Sequence, residues 1–143
     1  MPSVEFHTGV ADVVHFACRL LRKASRQGAV VQVTAPEPLL SELDRALWTF
    51  DQRDFIAHVR VPGASADLLA RTPLWLSETA PSRAHGGAAA VLVNLGAPSA
   101  PDLAGYLRLI EIVALDADAA QAGRERWREY KSRGLEIMHH RPA

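Results

Sequence analysis

The sequence contains very little cysteine, no long apolar run and no excess of charge of either sign. Cys18 is its single cysteine, so the chain can form neither an internal disulfide nor a cysteine-based metal site, which favours a cytoplasmic location. No segment approaches the roughly 20 consecutive apolar residues of a membrane helix. The first residues also lack a basic segment followed by an apolar block, so we expect neither a signal peptide nor a membrane partner.

Basic and acidic residues number 16 each, which gives a formal net charge of zero. Nucleic-acid-binding proteins usually carry a basic excess, so this balance weighs against direct binding of DNA. The 143 residues are 48% apolar and 22% charged, a composition typical of a folded protein and not of a disordered one. A chain of this length and composition predicts a single domain over residues 1–143.

Strand-like and helix-like segments alternate along the chain. Short apolar or β-branched runs predict strands at Val4–His7, Ala29–Thr34, Leu74–Ser77, Ala89–Leu95 and Arg108–Leu115. Helical spacing of apolar residues predicts helices at Val10–Ala24, Pro38–Trp48 and Asp116–Arg133. We also expect a strand or extended edge at Phe55–Val59, a short helix at Asp102–Tyr106 and no regular element in Leu135–Ala143. The alternation predicts a three-layer α/β fold with a mainly parallel sheet and a ligand crevice at the carboxyl ends of its strands.

The crevice lacks the sequence signatures of common catalytic and cofactor sites. The turn after the first predicted strand has one glycine, Gly9, where a dinucleotide fingerprint needs three, and neither a P-loop nor a G-x-S-x-G motif occurs. The six histidines lack H-x-x-x-H spacing, and His139 and His140 point in different directions if they lie in a regular element. We therefore expect no catalytic residue, no cofactor and no metal site, although the spacing leaves open a site assembled from histidines distant in the sequence.

Charge is nevertheless concentrated on two helices. We interpret a basic stripe on the first helix as a solvated face opposite the core. Its members are His15, Arg19, Arg22 and Arg26.

Residues 123–134, in the last helix, contain five basic and two acidic residues, with Trp127 between Arg124 and Arg128 in helical projection. One interpretation is an ordinary amphipathic helix with its aromatic residues inward and its arginines outward. The other is a recognition surface, because an aromatic ring flanked by guanidinium groups suits an apolar peptide that ends in a carboxylate, or a stacked nucleic-acid base. Spacing alone does not choose between them.

Three segments, taken in order, resemble the chi subunit of bacterial DNA polymerase III. They are L-D-R-A-L-W at Leu43–Trp48, F-I-A-H at Phe55–His58 and R-E-R-W-R-E-Y at Arg124–Tyr130. The resemblance implies a Rossmann-like fold without a bound nucleotide, in a non-catalytic adaptor of the clamp-loader assembly during DNA replication. The implied partners are the psi subunit and the acidic, Phe-terminated C-terminal tail of single-stranded-DNA-binding protein. The chain would then be a monomer within a hetero-complex that reaches DNA only indirectly.

The same resemblance assigns four residues to the tail-binding pocket, namely Val113, Arg124, Trp127 and Arg128. Arg124 is expected to bind the terminal carboxylate. Trp127 stands where the family often has tyrosine, and Arg128 stands where lysine can occur, so aromatic area and charge are both kept. One basic position of the family pocket is Ala120 here, which predicts a weaker contact with the acidic tail.

The resemblance places the psi-facing surface around Trp48, Phe55 and His58. The proline of the family's F-V-P-H segment is replaced here by Ala57. Because Trp48 lies at a predicted helix end, a role in covering the core stays open.

Two other functions also stay open. The first is a nucleotide- or S-adenosylmethionine-dependent Rossmann-like enzyme that uses the crevice beyond Leu95 and Gly96. The second is direct binding of single-stranded DNA by the last helix. The missing phosphate loop argues against the first, and the neutral net charge argues against the second.

Overall fold

The computed structural model describes residues 2–51, 55–80, 90–103 and 105–141. The described residues form seven strands, β1 (Ser3–Val10), β2 (Val30–Thr34), β3 (Val59–Val61), β4 (Leu74–Ser77), β5 (Ala90–Asn94), β6 (Tyr106–Ala114) and β7 (Ile137–His140). They also form four helices, α1 (Val13–Arg26), α2 (Glu37–Thr49), α3 (Ala66–Arg71) and α4 (Ala117–Ser132). None of the described helices has both the length and the apolar character needed to cross a membrane.

The seven strands lie parallel in one sheet, in the order β3-β4-β2-β5-β6-β1-β7. Helices α1 and α2 pack on one face, where Leu21 and Leu43 join a core with Ile110. Helix α4 packs on the other face, where Tyr130 joins a second core with Leu109. These layers confirm the α/β prediction of a Rossmann-like, three-layer fold with a mainly parallel sheet.

Side-chain caps set the starts of α1 and α4. The Asp116 carboxylate accepts a hydrogen bond from the backbone N–H of Ala119 at 3.0 Å, so α4 begins where it was predicted. The Asp12 carboxylate accepts from the N–H of His15 at 3.0 Å in the same way. Helix α1 therefore begins at Val13 and not at Val10, which still belongs to β1.

Three predicted elements differ in the structure. Only Val59 of the predicted Phe55–Val59 segment lies in a strand, since β3 begins there. The short helix expected at Asp102–Tyr106 is wrong, because Tyr106 opens β6 beside Ala90 of β5. The tail beyond Leu135 is not irregular, because it adds β7 to the free edge of β1.

A polar ladder crosses the apolar sheet. Thr34, Asn94 and Glu111 face one another on β2, β5 and β6 in the strand register. The Thr34 hydroxyl donates to Oδ1 of Asn94 at 3.0 Å, and Nδ2 of Asn94 donates to Oε2 of Glu111 at 3.0 Å. All three side chains are buried, so the ladder satisfies polar groups that would otherwise be costly to remove from water.

Helix α4 completes this network from above the sheet. Nε of Arg126 donates to Oε1 of Glu111 at 2.8 Å, and the Tyr130 hydroxyl donates to Oε2 at 2.6 Å. Burial raises the pKa of Glu111, and the adjacent Arg126 opposes that rise. The expectation of arginines facing outward is therefore wrong for Arg126, which is buried beside Tyr130.

We predict that Glu111→Gln lowers the free energy of unfolding by about 3–5 kcal/mol, because the guanidinium of Arg126 is then buried without its counter-charge. Asp67→Asn is the matched control, since Asp67 pairs with Arg71 at 2.8 Å with both side chains exposed. This control should change stability by less than about 1 kcal/mol. Urea denaturation of the two variants measures both values, and equal midpoints would contradict the role of the network.

Candidate functional site

A cleft opens at the carboxyl ends of β1, β6 and β7, on the sheet face that α4 covers. Its volume is about 640 Å³, and this edge of a parallel sheet is where α/β folds usually bind ligands. The sheet contributes Phe6, Thr8, Gly9, Val113, Ala114, Leu115, His139 and Arg141 from the strands or just beyond their ends. Helix α4 contributes Ala120, Gly123, Arg124, Trp127 and Arg128.

The floor of the cleft depends on a close approach between α4 and β6. Val113 is buried near the end of β6, and Gly123 of α4 packs against it. A Cβ atom at position 123 would lie 2.9 Å from Cγ1 of Val113, closer than real Cβ contacts. Glycine therefore lets the helix backbone come this close to the strand.

Trp127 forms an aromatic wall of the cleft. Its ring centroid lies 4.9 Å from that of Phe6 and 5.3 Å from that of His139. His139 is held in turn by Thr8, whose Oγ1 lies 2.7 Å from Nε2 of the imidazole. These contacts orient the indole, while its half-buried state leaves ring surface for a ligand.

Three exposed arginines surround the apolar floor, namely Arg124, Arg128 and Arg141. Nη2 of Arg124 donates to Oε1 of Gln121 at 2.8 Å. Within the described part of the chain, none of the three guanidinium groups is paired with a carboxylate. Cations without counter-charges beside apolar surface suit a ligand that is both acidic and apolar.

Thr8 and His139 are the described residues of the cleft that carry a hydroxyl or an imidazole. Its described lining includes no aspartate, glutamate, cysteine or lysine, and its histidine, His139, is engaged by Thr8. The crevice beyond Leu95 and Gly96 has a volume of about 270 Å³ and a mainly apolar lining. That volume lies below the range typical of small-molecule sites, which is about 300–1,000 Å³.

The structure brings the four predicted pocket residues together, since Val113, Arg124, Trp127 and Arg128 all line the cleft. Ala120 also lies in its wall. Sequence reasoning missed the contributions of β1 and β7. The contribution of the end of β1 to the cleft could have been predicted, because parallel sheets bind ligands at the carboxyl ends of their strands.

A second surface lies where α2 ends, and of the three residues predicted to face the psi subunit it exposes Trp48 and Phe55. Trp48 is 56% exposed and Phe55 is 71% exposed, with ring centroids 5.6 Å apart. His58 is buried, its Nε2 lies 2.8 Å from Oδ1 of Asp44, and its ring centroid lies 4.6 Å from that of Trp48. Trp48 and Phe55 thus form an exposed aromatic pair that His58 supports from beneath.

The similarity to known proteins covers almost the whole chain. A family model described as DNA polymerase III chi subunit, HolC, matches residues 1–138. A Pseudomonas aeruginosa protein named DNA polymerase III subunit chi is 33% identical over 126 residues, which cover 87% of this chain and 83% of the relative. These matches confirm the resemblance found in the sequence, and the family match covers the aromatic pair and the cleft residues other than His139 and Arg141.

We predict that Gly123→Ala changes stability in opposite directions in two backgrounds. With Val113 present, the new methyl group overpacks the contact and costs about 1–3 kcal/mol. In a Val113→Ala background the space is free, so alanine's higher helix propensity stabilises the protein by up to about 1 kcal/mol. Denaturation midpoints of the four members of this mutant cycle give both values. If Gly123→Ala changed the free energy of unfolding in the same direction in both backgrounds, the close approach would not constrain α4.

Proposed function

The chain belongs to the DNA polymerase III chi subunit family, and from that premise we propose that it is a non-catalytic adaptor of the replication machinery. In this proposal it links the clamp loader, through the psi subunit, to the C-terminal tail of single-stranded-DNA-binding protein. The observation that carries the proposal is the combination of an apolar cleft with three arginines at its rim.

The cleft matches the chemistry of an acidic tail that ends in phenylalanine. Val113 and Trp127 supply an apolar floor and an aromatic wall for the terminal side chain. The planar guanidinium of Arg124 can bind the terminal carboxylate through two parallel hydrogen bonds. Arg128 and Arg141 then face the acidic residues that precede the terminus. Ala120 brings no charge to the cleft, and Arg141 supplies positive charge to it from beyond β7.

The aromatic pair of Trp48 and Phe55 is the proposed contact with psi. Exposed aromatic side chains that lie together are frequent anchors of protein interfaces. Helix α2, which carries Trp48, packs on the sheet face opposite to α4 and its cleft. This separation lets an adaptor hold both partners at once.

Arg124→Ala should weaken binding of a synthetic tail peptide by about 1–3 kcal/mol, because a charged hydrogen bond to the carboxylate is lost. Amidation of the peptide's terminal carboxylate should remove most of the binding to the unmodified protein. Lys131→Ala is the matched control, since Lys131 is an exposed cation of α4 outside the cleft lining. Isothermal titration calorimetry at two salt concentrations measures these affinities, and binding should weaken at the higher salt. Equal binding of free and amidated peptides would refute the proposed role of Arg124.

Trp48→Ala and Phe55→Ala should each weaken binding to psi by about 2 kcal/mol or more, the size expected for buried interface anchors. Leu107→Ala is a matched control, because Leu107 is a 62% exposed apolar residue on β6. Titration with purified psi measures the affinities, and thermal melts show whether each variant is folded. Unchanged affinity for psi in both variants, with both folded, would contradict the proposed role of Trp48 and Phe55.

A further inference from the structure

Three side chains that can ligate a metal come together on the sheet face opposite to the cleft. Glu5 and His7 are two residues apart on β1, so both point to the same face of the sheet. His140 of β7 lies directly opposite His7 in the strand register and therefore shares that face. The carboxylate oxygen and imidazole nitrogens of the three residues all lie within 4.8 Å of one another.

The donor atoms of the three residues are near enough for one zinc ion to draw them together. The rings of His7 and His140 are stacked, with centroids 4.7 Å apart and planes 13° apart, and Nε2 of His140 lies 3.7 Å from Oε1 of Glu5. A tetrahedral zinc ion with ligands at about 2.0–2.2 Å holds its donor atoms about 3.3–3.6 Å apart. An imidazole nitrogen binds a metal along a lone pair in its ring plane, so the two stacked rings must leave their parallel arrangement to bind one ion. Rotation of the exposed His140 side chain allows this change.

Arg108 orients the carboxylate in a way that is compatible with this role. Its Nη2 and Nε donate to Oε2 of Glu5 at 2.6 and 3.2 Å, which leaves Oε1 directed toward His140. Metal-ligating carboxylates are commonly hydrogen-bonded through an outer group of this kind.

We propose that Glu5, His7 and His140 form a binding site for a zinc ion, with the fourth position taken by water. Two imidazoles and one carboxylate are an established zinc donor set. The ion would tie β7 to β1, and β7 leads into two residues of the tail-binding cleft, His139 on the strand and Arg141 just after it. The proposed ion would therefore anchor one wall of the cleft from the opposite face of the sheet.

The test uses the full chain without a histidine tag and zinc chloride as the probe. Saturable one-to-one binding should raise the melting temperature by about 5–10 °C when free Zn²⁺ reaches about 100 times its dissociation constant. Co²⁺ in place of Zn²⁺ should give the visible absorption bands of a tetrahedral complex. His140→Asn and Glu5→Gln should each abolish the shift and the bands.

His139→Asn is the matched control, because His139 is the neighbouring histidine of β7 but faces the α4 side of the sheet. It should retain both signals. His140 is exposed, so its variant should fold, and circular dichroism checks this. The proposal is overturned if wild type shows no saturable shift, or if folded His140→Asn keeps it. It is also overturned if binding appears only with dimerisation, since the ion would then lie between two copies. None of these readouts depends on the tail or on psi.

Discussion

The buried carboxylate of Glu111 is the interaction on which the rest of this structure depends. It joins β6 to β5 through Asn94 and joins the sheet to α4 through Arg126 and Tyr130. Because unpaired polar groups in this interior would be costly, the network holds α4 in one rotation. In that rotation Gly123 faces β6, the tryptophan of α4 lies against β1, and Arg124 and Arg128 are exposed to solvent.

The paired strands β1 and β7 place functional side chains on both faces of the sheet. Its alternation places Phe6 beneath the aromatic wall of the cleft and His7 on the opposite face. The same alternation separates His139, which contacts the cleft tryptophan, from His140, which stacks on His7. The sequence expectation that these adjacent histidines point in different directions is therefore confirmed, and a single edge strand contributes to two surfaces.

Local patterns predicted the sheet, whereas the network that positions α4 could not be predicted from them. Alternating apolar segments are enough to locate most strands and helices, and resemblance to a family pointed to the cleft residues. Glu111 was missed because its partners Asn94 and Arg126 lie 17 and 15 residues away, and only the strand register and helix rotation bring them together. Strand Ile137–His140 was missed because it lies at the sheet edge, where exposed side chains produce no alternation.

We propose that the cleft beside α4, and not the aromatic pair, binds the tail of single-stranded-DNA-binding protein. The three tryptophans give three indole N–H signals in an NMR spectrum, which makes Trp127 a probe of the cleft and Trp48 a probe of the aromatic pair. Trp75 is an internal reference, because its indole N–H donates to the carbonyl of Thr72 at 2.9 Å. Titration with the tail peptide should shift the Trp127 signal and leave the other two in place. A shift of the Trp48 signal with Trp127 unchanged would contradict the account.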